Sequence, residues 1–326
     1  MVARVIASVD GWQRRHAAGG FPVAVLKKFG DDRATRLAAL VAYYAFFSLF
    51  PLLLALTSIL GFVLEGNPSL REDIVDTVVG RIPVIGSELR DQVHPLTGSG
   101  VALVLGLAGA LWAGLGVTVA LGTAFAEIWD VPRLEQPSGL QARGRGFVIL
   151  LILGVTLVAT TIATGFATGG ALHPVATGAA AVVASLAVNA LMFLTVFALL
   201  TPRPRQIGDL LPGVAVAAVG SLLLQAAGGW YVNHTVSDAS AVYGTFALVI
   251  GLLSWFWLGA QMLLMAAEVN VVLNWRLWPR SLSGELEPAD RRALKRFAEA
   301  TRRDRREKIA VAFDDSDGAP SRFPES

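Results

Sequence analysis

The chain contains no cysteine. Disulfides, thiolate zinc sites, iron–sulfur clusters and thiol nucleophiles are therefore excluded. Histidine is scarce, with four in 326 residues. His94, His173 and His234 are expected on one side of a membrane without ligand spacing, and His16 stands alone on the other. The segments expected on the His16 side show no cluster of carboxylates or histidines, so the sequence predicts no metal, no cofactor and no catalytic residue. A Gly-x-x-x-x-Gly-Lys-Ser/Thr loop is also missing, which leaves no nucleotide-driven step to read.

Charge is the next shortage. Only 16% of residues are charged, against about 25% in soluble domains. In its place the chain is 54% hydrophobic, with a mean hydropathy of +0.58. The apolar residues gather in six runs: Leu37–Leu64, Val101–Ala126, Phe147–Leu172, Val175–Leu200, Leu210–Val232 and Tyr243–Ala267. None contains Asp, Glu, Lys or Arg. Crossing a hydrocarbon core takes about 20 helical residues, and backbone groups in lipid must be satisfied within the segment. The predicted fold is all-α, a polytopic membrane protein with six transmembrane helices plus interfacial amphipathic helices. His173 and Pro174 alone separate the third and fourth runs, which predicts a tight hairpin.

Lys and Arg set the orientation. Of the 27 in the chain, all but Arg71, Arg81 and Arg90 fall in the N-terminal segment, the loops after the second and fourth runs, and the C-terminal tail. The positive-inside rule places those four segments, and both termini, in the cytoplasm. An even number of spans agrees. The expected location is the bacterial cytoplasmic membrane, multi-pass. Charges throughout the first 36 residues, with no isolated apolar core, predict no cleavable signal.

Three regions follow. Residues 1–36 form an N-terminal cytoplasmic or interfacial segment, in which Val2, Val5, Ile6, Val9 and Trp12 would share the apolar face of a surface helix. A frayed basic arm is the plainer alternative. Residues 37–276 form the membrane domain, with an outer amphipathic loop at 65–100 carrying Leu70, Ile74, Val78 and Ile82 at four-residue spacing. Residues 277–326 form a basic tail, helix-like from Pro288 to Ala312 and disordered at its end. Its arginines suit the anionic lipid of the inner leaflet. With only Phe297 and Phe313 available to stack on bases, no nucleic-acid partner is expected.

Polar residues within or beside the runs are the candidates for chemistry. Tyr44, Ser48 and Pro51 lie on one side of the first span, where Pro51 removes a backbone hydrogen bond. Glu268 stands about two turns inside an interface marked by Trp275 and Trp278. Gln261 is on the same helix face, Asn270 is near, and Glu127 ends the second span at similar depth. Together these residues describe a cytoplasm-facing polar site for protons, cations or a headgroup amine. The structural alternatives are a packing kink at Pro51 and a Glu268 paired with Arg205 or Arg276. Asn189 and Gln225 read as amides that join helices. Gly106, Ala110 and Gly114, and Gly116, Ala120 and Ala124, form small-residue stripes for close helix approach.

Several motifs carry a family resemblance. Ala42-Tyr43-Tyr44 with Ser48-Leu49-Phe50-Pro51-Leu52, Trp129-Asp130-Val131-Pro132, Asp209-Leu210-Leu211-Pro212-Gly213, Tyr243-Gly244-Thr245 and Ala267-Glu268-Val269-Asn270 occur in the order seen in the YihY/BrkB (virulence factor BrkB) family of bacterial inner-membrane proteins. The chain departs from that pattern at Arg133-Leu134-Glu135-Gln136-Pro137, where the family is more basic. The resemblance implies an integral membrane protein, not an enzyme, that transports or exports a lipid or small amphiphile of unknown identity. A non-transporting scaffold for envelope assembly is the alternative. A membrane-bound ribonuclease, the family's older label, is a remote one. Oligomeric state is not readable from the sequence.

Overall fold

The computed structural model describes residues 10–15, 17–63, 100–168, 174–201, 206–231, 245–282 and 286–313. Among them the chain is helical, with no strand. After a helical turn at 10–15 come α1 (Ala17–Asp31), α2 (Ala34–Val63), α3 (Gly100–Ile128), α4 (Gly139–Thr168), α5 (Pro174–Leu200), α6 (Leu211–Tyr231), α7 (Thr245–Trp275) and α8 (Pro288–Ala300). Four stretches are long and apolar enough to cross a membrane: Ala34–Ala55, Val104–Ile128, Ile207–Gly228 and Val249–Trp275. Leu186–Leu200 is a shorter apolar helix.

Helices α2 to α7 each pack against their neighbour in sequence, and α7 returns to α2, which closes a ring. Consecutive long helices alternate in direction. One end of the bundle therefore gathers the start of α2, the end of α3, the start of α6 and the end of α7. We call it the proximal end, because the N-terminal segment and the tail also sit there. The main buried cluster lies at this end and includes Phe29, Phe125, Ile128, Phe197, Leu264 and Val271. Farther along α2 a small cluster of Phe46, Leu49 and Leu252 continues it. Leu105, Trp112, Leu151 and Leu223 are exposed on the outer flanks, as lipid-facing positions should be.

Glycine permits the closest helix contact. On α3, a Cβ at Gly106 would stand 2.8 Å from the Ala55 backbone nitrogen of α2, and one at Gly109 would stand 3.0 Å from Pro51. Of the small-residue stripes, Gly106 and Gly116 meet α2, whereas Gly114 meets Leu150 of α4.

Two boundaries differ from the hydropathy reading. Helix α4 begins at Gly139, so Arg143 and Arg145 are helical. Helix α7 runs on past Ala267 to Trp275 and carries Glu268 within it. Hydropathy marks where polar side chains begin, while the hydrogen-bond ladder continues until something caps it. In the tail the helix stops at Ala300 instead of continuing to Ala312. Arg302, Arg303, Arg305 and Arg306 follow, and stacking like charges three and four apart disfavours another turn. The predicted outer amphipathic helix at 65–100, the Val2–Val9 face, the His173-Pro174 hairpin and the outer histidines lie outside the described residues.

The described part of the N-terminal segment packs against the bundle and the tail. Helix α1 packs on α7, burying Ala24, Val25 and Phe29. Below it, a polar staple joins residues 10–27 to 280–290. Asp290 accepts from Lys27 (2.8 Å), Arg280 Nε (2.9 Å), the Ser281 backbone N–H (2.8 Å) and the Glu287 backbone N–H (3.2 Å). Asp10 accepts from Gln13 (2.9 Å) and the Leu282 backbone N–H (2.8 Å), and pairs with Arg14 at 2.7 Å. Burial opposes ionisation of Asp290, but these donors outweigh it and hold its carboxyl below the ordinary value.

Candidate functional site

Helix α1 shows why a lysine becomes buried. Ala24, Val25, Lys28, Phe29 and Asp32 recur at three- and four-residue spacing, so Lys28 sits on the face that α1 presents to α7. The Lys28 side chain is 3% exposed. Its ammonium pairs with Asp32 one turn on, lies 3.6 Å from Asp130 Oδ2, and donates to the Ile128 carbonyl at 3.1 Å. The Trp275 ring lies 5.8 Å away.

Asp130 reaches this point through a helix C-cap. The Val131 N–H bonds the Ala126 carbonyl at 2.9 Å and the Asp130 N–H bonds the Glu127 carbonyl at 3.0 Å, with Asp130 at φ 45°. This is a Schellman termination with aspartate in the left-handed position that glycine usually occupies. Asp tolerates that conformation better than most residues. The turn redirects the chain so that Asp130 points inward while Glu127, three residues earlier on α3, remains exposed. Helix α7 ends the same way, with Arg276 at φ 52° and the Leu277 N–H on the Val272 carbonyl at 3.0 Å.

Glu268 completes the group. It is wholly buried, and its carboxyl meets that of Asp32 with Lys28 and Asp130 close by. Neither Glu268 oxygen accepts a hydrogen bond from a donor among the described residues, and neither does Asp130 Oδ2. Three carboxyls thus share one ammonium in a buried setting. Burial pushes the Asp32 carboxyl up against the pull of Lys28. Burial likewise pushes Asp130 up to about 6, again opposed by Lys28. Burial would lower Lys28, but Glu268, Asp32 and Asp130 together hold it above its ordinary value. Lys28 takes the place a bound cation would take.

The structure separates the residues that sequence reasoning grouped with Glu268. Asn270 is two positions on, about 200° around the helix, and turns to α6. Its side-chain oxygen accepts from the Gly213 N–H at 2.7 Å, and Asn274 donates to the Asn270 and Asp209 carbonyls at 2.8 and 3.2 Å. A Cβ on Gly213 would collide with the Ala266 carbonyl, so glycine is required there. Gln261 is half-buried, roughly 10 Å farther along α7 by helix rise. Tyr44 packs on Gly116, Pro51 faces Gly109, and Ser48 donates to the Ala45 carbonyl of its own helix at 2.7 Å. Counted from Ala34, Tyr44 and Pro51 lie roughly 15 and 25 Å along α2, so they serve α3 packing and stand apart from Glu268. Asn189 is half-buried, while Gln225 is exposed on α6.

Sequence reasoning missed Lys28, Asp32 and Asp130. Among the described residues the cation that acts on Glu268 is Lys28, not Arg276; Arg205, the other expected partner, lies outside the described residues. The signal was present as a lysine inside the apolar stripe of α1.

The family profile described as virulence factor BrkB matches residues 25–290. The chain belongs to that family. The BrkB match begins at Val25 and ends at Asp290, so it takes in all four members of the cluster. Inner membrane protein YhjD of Escherichia coli (strain K12) is 23% identical over 288 residues, covering 82% of this chain and 84% of YhjD. A UPF0761 membrane protein of Chlorobium luteolum is 26% identical over 298 residues, covering 86% of this chain and 66% of its own length. Another UPF0761 membrane protein, from Halorhodospira halophila, is 25% identical over 273 residues, covering 80% of this chain and 58% of its own. No solved structure matches the chain. With its membrane-length apolar helices, this BrkB-family chain is a polytopic helical membrane protein.

Proposed function

We propose that this BrkB-family protein works in the bacterial cytoplasmic membrane, crossing it six times through α2–α7 with the proximal end and both termini inside. Its work is non-enzymatic movement of a lipid or small amphiphile, with proton binding at the Glu268 cluster as the step that drives or gates it. The ring of long apolar helices, the placement of Lys and Arg, and the relative named as an inner membrane protein support the location.

One observation carries the transport reading: a fully buried Glu268 whose oxygens receive no donor among the described residues, set against another carboxyl. Two carboxyls in contact away from water are stable only with a proton between them. A site that holds a proton at a membrane-helix end can couple to its release. Lys28 pairs with Asp32 and Asp130, and Glu268 is wholly buried, so the cluster does not present a set of free carboxylates to a phosphodiester as a nuclease would require.

Reconstitution tests it. Full-length protein in liposomes with an imposed pH gradient should move a fluorescent phospholipid between leaflets, and Glu268→Gln should abolish the gradient-dependent part. Equal rates for wild type, Glu268→Gln and empty liposomes would sink the proposal.

The exposed face of the tail favours a second reading, an envelope-assembly scaffold. Arg303, Arg305, Arg306 and Lys308 are exposed at the proximal end. Near anionic lipid each is worth about 1 kcal/mol. A scaffold should lose function on neutralising these four and keep it in Glu268→Gln, whereas a transporter should show the reverse.

A further inference from the structure

Beneath the tail lies a cavity of about 270 Å³, and Asp130 forms part of its wall. Its roof is built by the chain's last described turns. Arg296 of α8 lies 4.0 Å over the Trp275 ring, and Arg302 bridges to Glu135 at 2.7 Å. The wall also carries Glu299, Glu307 and Lys308. The lining is therefore polar and mixed in sign, suited to water more than to a single anion or an apolar ligand. The Asp130 side chain is only 5% exposed, and its Oδ2 has no hydrogen-bond donor among the described residues. It is the cluster member that lines the cavity; Glu268 and Lys28 lie behind it.

From this arrangement we infer that Asp130 is the residue at which the buried Lys28–Asp32–Glu268 cluster exchanges protons with the cytoplasm, through the polar cavity roofed by the tail. The proton reading of the Glu268 cluster and the orientation proposed above underlie it; transport itself does not.

A hydronium ion in the cavity gives its proton to the Asp130 carboxylate, forming an O–H bond and leaving water. Lys28 stays an ammonium, loses its longer ion pair at 3.6 Å and keeps Asp32. Release reverses the step. From α1, Lys28 favours the Asp130 carboxylate. From the α1–α2 turn, Asp32 opposes it, and Glu268 of α7 is the further like charge in the cluster. From α8, Arg296 favours it. On the cavity wall, Glu135 is paired with Arg302, and Glu299, Glu307 and Lys308 complete the set.

The test is pH-difference infrared spectroscopy on the full-length protein in nanodiscs. Between about pH 8 and about pH 5, a range that brackets titrating carboxyls, a carboxylic C=O band should grow with its midpoint near 6. The component of that band with its midpoint near 6 should vanish in Asp130→Asn, a substitution that tolerates the left-handed backbone at this position. If that variant does not fold, Arg296→Gln gives an independent reading: loss of its positive charge should move the midpoint upward by roughly half a unit. Transfer to D2O should shift the band as fast as buffer mixes, because the cavity supplies water. A component that persists in Asp130→Asn, a midpoint unmoved by Arg296→Gln, or a band that exchanges only on unfolding would each overturn the inference. Lipid flux absent with the Asp130 band present would sink the transport reading alone. Flux present without the band would sink the Asp130 inference alone.

Discussion

At the proximal end, the carboxylate of Asp290 receives four hydrogen bonds through its two oxygens, while that of Glu268, equally buried, receives none among the described residues. Both lie next to lysines that are neighbours in sequence, Lys27 for Asp290 and Lys28 for the Glu268 group. The difference is one of donors per acceptor. In the staple, Asp10 and Asp290 face Arg14, Lys27, Arg280 and backbone N–H groups. In the cluster, three carboxyls face one ammonium. A carboxylate with surplus donors is a fixed anion that holds two chain segments together. A carboxyl with too few is held only by keeping or sharing a proton, which makes it sensitive to pH and conformation. The first arrangement is suited to structure and the second to function.

Removing the single ammonium should break the comparison most severely. Lys28→Met leaves three buried carboxyls without a cation, and loss of one member of a buried ionic group costs about 3–5 kcal/mol. Thermal unfolding in detergent should show the loss, with partial recovery when Glu268→Gln is added. A Lys28→Met protein as stable as wild type would mean that the cluster is not held by charge. Asp290→Asn comes next, at about 1–3 kcal/mol, because donors from Lys27, Arg280 and Ser281 lose their acceptor.

The pH response should separate the two groups by sign. Asp290 binds its proton less tightly folded than unfolded. Its stabilisation is therefore present above the ordinary carboxyl value and is lost as pH falls through its lower folded value. Asp130 binds its proton more tightly folded, near 6 against an ordinary 3.8. Wild type should lose stability as pH rises from about 4 to about 6, by an amount on the order of 2 kcal/mol. Relative to wild type, Asp130→Asn should gain stability across that window and stay level above it. Unfolding midpoints measured at intervals of pH check both slopes, and parallel curves would erase the distinction. The smallest stability effect belongs to Glu268→Gln. No donor is orphaned by the change, so it should shift stability by less than about 1 kcal/mol while removing gradient-dependent lipid movement. A large loss of stability would instead make Glu268 a structural residue like Asp290.

Much of the architecture was legible from composition. Each of the six uncharged runs falls largely within one of the helices α2 to α7, and four stretches are long and apolar enough to cross a membrane, where backbone groups must be bonded within the segment. Glu268 stood out because charge in a membrane segment is expensive. Its surroundings did not. Asn270 is near Glu268 in sequence, yet helix rotation turns it to Gly213 on another flank. Glu127 matched the expected depth, but a left-handed residue after α3 turned Asp130 inward in its stead. Pro51 and Tyr44, read as polar-site candidates with a packing kink as the alternative, are packed on glycines.

What the sequence alone determined is the solvent of each segment: which parts belong in hydrocarbon and which carry the positive charge that orients a chain. Those properties are local and additive, so a linear string is enough to read them. Only the tertiary structure decided which ions meet. Lys28, Asp32, Asp130 and Glu268 come from opposite ends of the chain, and a charge buried among others depends on distances of a few ångströms that arise only when α1, α3 and α7 close on one another.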